Sequence, residues 1–357
     1  MKLLKGFTGA LLFVSVIGTP AQAQRALEIE SDAAWEHPHS GIEVPATLAG
    51  LPRNRGTEFA PDFLNVGFSF RDGEDVEEIS LYIYRDTNGG VPVWFEQARR
   101  GIEGRDIYAD PKLAFAIEQY GWPGNDAWQG QRAVYDTPDS TYSTSTGLVL
   151  FSVDGWYVKM RATSATRSAS ELRDWIDTAF GELTAPMSEF RQEPVIAVTD
   201  CEEKLSFKKA KDAKTDGASS LVNALLGGMI SEKVTEKRVE EGPGPAVAWC
   251  RDSSLSGMQV AYRADASTDS YLIALGDSGM GVSVAPDLGA ALLSDKPSKK
   301  KSYSITVITE AQRINFVPQN RLPSLQRVLE VINANRRVSA TSTWGDDSKV
   351  EINSDAL

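Results

Sequence analysis

Two helical stripes constrain this chain more than any other feature. Ser168 and Glu171 have the S-x-x-E spacing of a capping box. Leu172, Trp175, Ile176, Ala179, Phe180 and Leu183 then recur at intervals of three and four residues. Leu322, Leu325, Val328, Leu329 and Ile332 repeat the pattern over 322–334. Each stripe is a single apolar face that must be buried, and each closes a run of segments alternating with period two.

Before the first stripe, strands are expected at 63–70, 79–84, 131–136, 145–153 and 155–162. Asp154-Gly155 has the composition of a two-residue hairpin turn. Pro92 opens a helical stretch with Phe95, Ala98 and Ile102 on one side, continued by Leu113, Ile117 and Tyr120 after a break near Gly104. The second half offers strands at 193–199, 245–250, 257–263, 270–276, 280–285, 302–309 and 337–343, with a helix near 216–232. Runs of strands with segregated helices predict an α+β protein. The expectation is two domains, 46–190 and 191–345, each a mainly antiparallel sheet packed with amphipathic helices and of similar topology. Residues 24–45 read as a polar lead-in and 346–357 as a tail.

The segments Val44-Pro45-Ala46-Thr47-Leu48-Ala49-Gly50-Leu51, Leu81-Tyr82-Ile83-Tyr84 and Trp156-Tyr157-Val158-Lys159-Met160-Arg161 resemble a group of uncharacterised exported bacterial proteins. In that group a glycine-containing lead-in precedes a Tyr-x-Tyr strand, and a later strand carries a basic residue before a terminal helix. The resemblance spans about the first 160 residues after the leader. It implies export and brings no activity.

The N-terminus agrees. Lys2 and Lys5 precede the apolar run Leu11 to Ile17, and Ala21-Gln22-Ala23 suits a signal peptidase, so residues 1–23 read as a signal peptide cleaved before Gln24. The apolar run is too short to span a bilayer, which takes about 20 residues, and no later segment is long or apolar enough. The predicted location is periplasmic or secreted. Net charge is −12, more negative still without the leader, and the excess is concentrated in residues 24–190. That balance excludes nucleic acid as a partner.

Cys201 and Cys250 are the two cysteines. In an oxidising compartment they are expected to pair, bringing the strand before Cys201 beside the strand that ends at Cys250.

Candidate chemistry is sparse. Gly276-Asp277-Ser278-Gly279 looks like the nucleophile motif of chymotrypsin-like proteases, but the two histidines, His37 and His39, lie in the lead-in, and turn chemistry accounts for the residues. Ser206-Phe207-Lys208-Lys209 matches S-x-x-K without its partner motifs. His37 and His39 lack further zinc ligands and read as an exposed, unstructured pair. Asp72, Glu74, Asp75, Glu77 and Glu78 read as a solvated acidic turn, and Lys296, Lys299, Lys300 and Lys301 as a solvated basic loop.

Trp122 and Trp128 flank Pro123-Gly124-Asn125-Asp126, a loop where a flat ligand could stack, although both rings tucked into the sheet edge is the alternative. Leu221 to Ile230 reads as a buried helix or a cover over an apolar cavity. No cofactor or metal is expected. The leading expectation is a non-catalytic protein that binds an envelope protein or a small-molecule ligand. The alternatives are a hydrolase with a dyad assembled from distant residues and a carrier of apolar ligands.

Overall fold

The structure is a computed structural model. It describes residues 24–73, 76–186, 195–213, 246–287, 301–345 and 349–353, with the single residues 222 and 289. The leader and the helix near 216–232 therefore lie outside the described residues.

The first sheet is built from β1 (Leu51–Ala60), β2 (Asn65–Arg71), β3 (Glu77–Arg85), β4 (Asn125–Asp136), β5 (Ser145–Val153) and β6 (Trp156–Ser164). Their spatial order is β1-β2-β3-β6-β5-β4, antiparallel throughout, with short edge strands completing ten. The second sheet is a meander of β7 (Trp249–Ser256), β8 (Gln259–Ala264), β9 (Tyr271–Leu275), β10 (Gly281–Pro286), β11 (Tyr303–Ile308), β12 (Gln312–Gln319) and β13 (Arg337–Ser342). Thr199–Asp200 adds a parallel edge to β7, and Val350–Ile352 pairs with β13.

The expectation of a balanced α+β protein is overturned. The described residues are mostly antiparallel sheet, with 44% of them in strand and 15% in helix. Among the described residues there are three α-helices, α1 (Gly90–Glu103), α2 (Ala169–Gly181) and α3 (Leu325–Asn333). Leu113, Ile117 and Tyr120 have helical spacing, yet Lys112–Leu113 and Glu118–Trp122 are strands along the outer edge of β4. β1 and β12 lie outside the expected strands: Arg53, Asn54, Arg55 and Glu58 dilute the apolar alternation of β1, and Gln312, Arg313, Asn315 and Gln319 that of β12.

The elements stack in five layers. α2 covers one face of the first sheet, with Leu172, Trp175, Ile176, Ala179 and Phe180 packed on Val149, Phe151, Val158 and Met160. Its capping box is formed: the Ser168 side chain accepts from the Glu171 amide, and the Glu171 carboxylate accepts from the Ser168 amide. α1 lies on the other face and fills the space between the sheets. Val91, Trp94, Phe95, Ala98 and Ile102 share one core with Leu148, Leu150 and Tyr157 on one side and Val260, Tyr262, Leu272 and Ala274 on the other. α3 closes the outer face of the second sheet with Leu325, Val328, Val331 and Ile332.

Because β5 is covered on both sides, it is buried almost end to end and loses the alternation of a half-exposed strand. Its turn into β6 is the expected Asp154-Gly155, with φ of 46° and 85°, the pair of positive values a tight hairpin needs. The lead-in is no loose tail. Buried Arg53 donates to the carbonyls of Glu30, Ala33, Val44 and Pro45 and holds it in place.

Candidate functional site

Most of the charged and polar side chains between the sheets serve to dock one sheet on the other. Gly276 to Gly279 forms the β9–β10 turn, with φ of 83° and 87° at the two glycines. Lys159 of β6, 4% exposed, reaches this turn: its Nζ lies 3.0 Å from Asp277 Oδ2, donates to Asp277 O at 2.8 Å, and sits over the rings of Tyr82 and Tyr84. Burial pulls Lys159 below the ordinary amine range. Burial alone would raise Asp277, but Lys159 and Arg161 outweigh it and hold the carboxyl below its ordinary value. Gln97 of α1 donates to the carbonyls of Met258 and Gly276 and accepts from Tyr262, and Asn88 donates to Gly279 O. The G-D-S-G sequence is thus a docking turn.

A second seam runs along the side of α1. Arg251 of β7 bonds Glu96 at 2.8 Å and Asp200 at 2.8 Å, and Arg99 bonds Glu96 at 2.9 Å. Burial pushes the Glu96 carboxyl up against the pull of these two arginines. Beside the seam, Cys201 and Cys250 form a disulfide with Cα atoms 4.9 Å apart. Thr199 pairs with Cys250 in the parallel ladder, so the segment before Cys201 does lie beside Cys250, but the strands are Thr199–Asp200 and Trp249–Ser256, the second beginning at the bridge where the sequence predicts a strand that ends there. Arg263 packs against the bridge, with Nε 3.3 Å from Cys201 Sγ and 3.2 Å from Asp252 Oδ2.

The face of the second sheet that meets α1 changes character across the strands. Opposed residues in antiparallel strands share a face. Leu272 opposes Ser283, Ser283 opposes Thr306, Thr306 opposes Asn315, and Asn315 opposes Ser339. The adjacent row runs Ala274, Gly281, Ile308, Arg313, Thr341. An apolar surface under α1 therefore gives way to a polar one over β10–β13. Thr306 Oγ1 donates to Asn315 Oδ1 at 2.8 Å, and Asn315 Nδ2 donates to Ser339 Oγ at 3.0 Å.

Arg313 is half-buried, and among the described residues no carboxylate, carbonyl or hydroxyl pairs with it. Burial alone pulls its guanidinium below the ordinary value. Thr341 beside it is 4% exposed, and its Oγ1 has no partner among the described residues. Near the end of these strands Arg85 of the first sheet donates to Glu310 O and Thr343 Oγ1 and lies over the Trp344 ring.

The residues singled out in the sequence are dispersed. Trp122 is 5% exposed and packs edge-on against Phe151 and Phe180, so it belongs to the core rather than to an open stacking surface. The Trp128 side chain lies outside the described residues, as do Leu221, Leu226 and Ile230, together with Lys296, Lys299, Lys300, Glu74 and Asp75. Lys301 pairs with Asp269 at 3.0 Å.

Glu77 is not a solvated turn residue: it is buried in β3 and accepts from Ser164, Thr166 and Arg167. Ser206 and Lys209 are exposed. The histidines are structured, contrary to expectation. His37 is fully buried, its Nε2 2.9 Å from Phe63 O and its Nδ1 accepting from the Ser40 amide, with its ring against Trp35 and Trp156. Burial pushes its pKa down to about 4. His39 stacks on Trp156 and meets Trp344 edge-on.

Among the described residues no cluster of His, Cys, Asp and Glu is arranged to hold a metal ion, and no helix is long and apolar enough to cross a membrane. No protein-family model and no curated protein matches the chain.

Proposed function

We propose that this chain is an exported, non-catalytic binding protein of the cell envelope, and that it holds a small ligand on the polar face of β10–β13. Export is supported by the charged n-region, the short apolar run and Ala21-Gln22-Ala23. The Cys201–Cys250 disulfide fits an oxidising compartment.

The observation that carries the ligand reading is the state of Arg313 and Thr341. Buried polar groups are ordinarily satisfied within a protein. Here a half-buried guanidinium and a buried hydroxyl stand side by side with no partner among the described residues. They adjoin a row of short hydrogen-bonding side chains, Ser283, Thr306, Asn315 and Ser339. Elsewhere between the sheets the buried arginines and lysine are paired.

A photo-crosslinking side chain at Ala285, half-exposed on the same face, tests this in intact cells. Intact-mass analysis is expected to show an adduct of small-molecule mass at Ala285 and none with the probe at exposed Arg55 of the first sheet. Protein-sized adducts at Ala285 would replace the ligand with a protein partner. Equal labelling at both positions would remove this face as the site. The same spectra are expected to show a mature chain beginning at Gln24.

A further inference from the structure

Which ligand chemistry this face suits follows from what its side chains leave unspent, and the step rests on the ligand reading above. Asn315 has two amide hydrogens and uses one on Ser339; its oxygen is occupied by Thr306. Arg313 has five N–H donors and spends none on the described residues. Thr341 keeps its hydroxyl hydrogen. The two rows are about 7 Å apart along the strands, within the span of one small ligand. What the face offers is therefore a set of donors around one positive charge. The nearby carboxylate of Glu310 is engaged by Asn65 Nδ2 at 3.0 Å. In a chain of net charge −12, an unneutralised arginine held part-way out of water is expensive unless an anion completes it.

We infer that Arg313, Asn315 and Thr341 form an oxyanion site, in which the Arg313 guanidinium takes a carboxylate or phosphate group of the ligand as a two-point contact. The Asn315 amide donates to the same group or to the atom beside it. The Thr341 hydroxyl becomes a donor as the Arg313 side chain turns to meet the ligand. Planar bidentate recognition is the geometry in which arginine outperforms lysine, so Arg313→Lys is expected to keep the charge and lose most of the affinity.

The test uses the full mature protein at low ionic strength, titrated calorimetrically with inorganic phosphate and, separately, with succinate. Saturable binding of at least one probe is expected, about tenfold or more weaker in Arg313→Gln, as for removal of a charged hydrogen-bond partner. Thr341→Val removes a hydroxyl that is unpaired in the free protein, so it is expected to fold normally and still bind several-fold more weakly. Exposed Arg55→Gln is expected to bind like the parent. Phosphate without succinate identifies a phosphate ester, succinate without phosphate a carboxylate, and both a site for either oxyanion.

Binding that survives Arg313→Gln, or that falls equally in Arg55→Gln, overturns the assignment. So does failure of both probes in the parent protein. A small-molecule adduct at Ala285 alongside that failure would leave the ligand reading standing and reject only the anionic chemistry.

Discussion

Lys159→Met is the substitution that most directly probes how the two sheets are held together. It keeps the aliphatic stem over Tyr82 and Tyr84 and deletes the charge that lies 3.0 Å from Asp277. Breaking a buried pair from one side costs roughly 3–5 kcal/mol, because the remaining charge stays uncompensated. The Asp277 side chain is 27% exposed, and Arg161 and Arg105 also favour its ionised form. The loss should therefore fall at the lower end, about 3 kcal/mol, a drop in Tm of roughly 4 °C for a chain of this size.

Asp277→Asn alone leaves Lys159 buried and should cost a similar amount. The double variant should cost clearly less than the sum, with a coupling of about 2 kcal/mol. Urea unfolding followed by tryptophan fluorescence gives all four corners of the cycle. A cost under 1 kcal/mol for Lys159→Met, with no coupling, would refute the latch. The pH dependence has a definite sign. The folded-state pKa of Asp277 is depressed, so its contribution is present above the ordinary carboxylate pKa and is lost as pH falls through the depressed value.

Three further outcomes are expected. His37 is held down to about 4 against 6.5 unfolded, so its contribution to stability should be full above pH 6.5, fall by roughly 3 kcal/mol between pH 6.5 and 4, and change no further below. Chemical unfolding across that window should show the limb in the parent and lose it in His37→Gln. Replacing both cysteines with serine opens a loop of sequence separation 49 and should cost about 4 kcal/mol on the chain-entropy model; alkylation of the denatured, unreduced parent should label no thiol. Ser168→Ala removes the α2 cap seen at Glu171 and should cost about 1 kcal/mol in thermal unfolding.

What could be read from the sequence was local. The Asp154-Gly155 hairpin, the Ser168–Glu171 box, the α2 stripe and the turn at Gly276–Gly279 each depend on residues within a few positions of one another. The cysteine pairing was also legible, because compartment and count decide it. The balance of sheet and helix was not. α1 showed one apolar side in sequence, Phe95, Ala98 and Ile102, yet it is buried on both. Its second face uses Trp94 and Gln97, and Gln97 counts as buried only because the carbonyls of Met258 and Gly276 lie 161 and 179 positions away. His37 misled for the same reason: its partners, Phe63 and Trp156, are supplied by the first sheet. The pairing of Arg313 with Thr341 depends on the register between β12 and β13, and an alternation of Ser, Thr and Asn reads in sequence as an ordinary wet face.

Geometry explains why that face exists at all. A nine-stranded sheet is about 38 Å across at 4.8 Å per strand, while a helix of 14 residues is about 21 Å long. Whatever its direction, α1 cannot cover the whole inner face. It packs over Val260, Tyr262, Leu272 and Ala274 on β8 and β9, and the sequence changes where its cover ends. A purely solvated surface would be served by long, mobile charged side chains that keep their heads in water. β10–β13 carry short groups instead, and Ser339 and Thr341 are 1% and 4% exposed. Small side chains tied to one another make a rigid floor, and a floor keeps its shape without a ligand. Arg313 is the member that does not fit a passive role, since Gln at this position would preserve the hydrogen-bonding character without the charge. Arg313→Gln should therefore leave stability unchanged or raise it slightly, because it relieves a desolvated cation. A thermal scan in anion-free buffer checks this, and a marked loss of stability would mean that Arg313 is a structural residue and not a ligand contact.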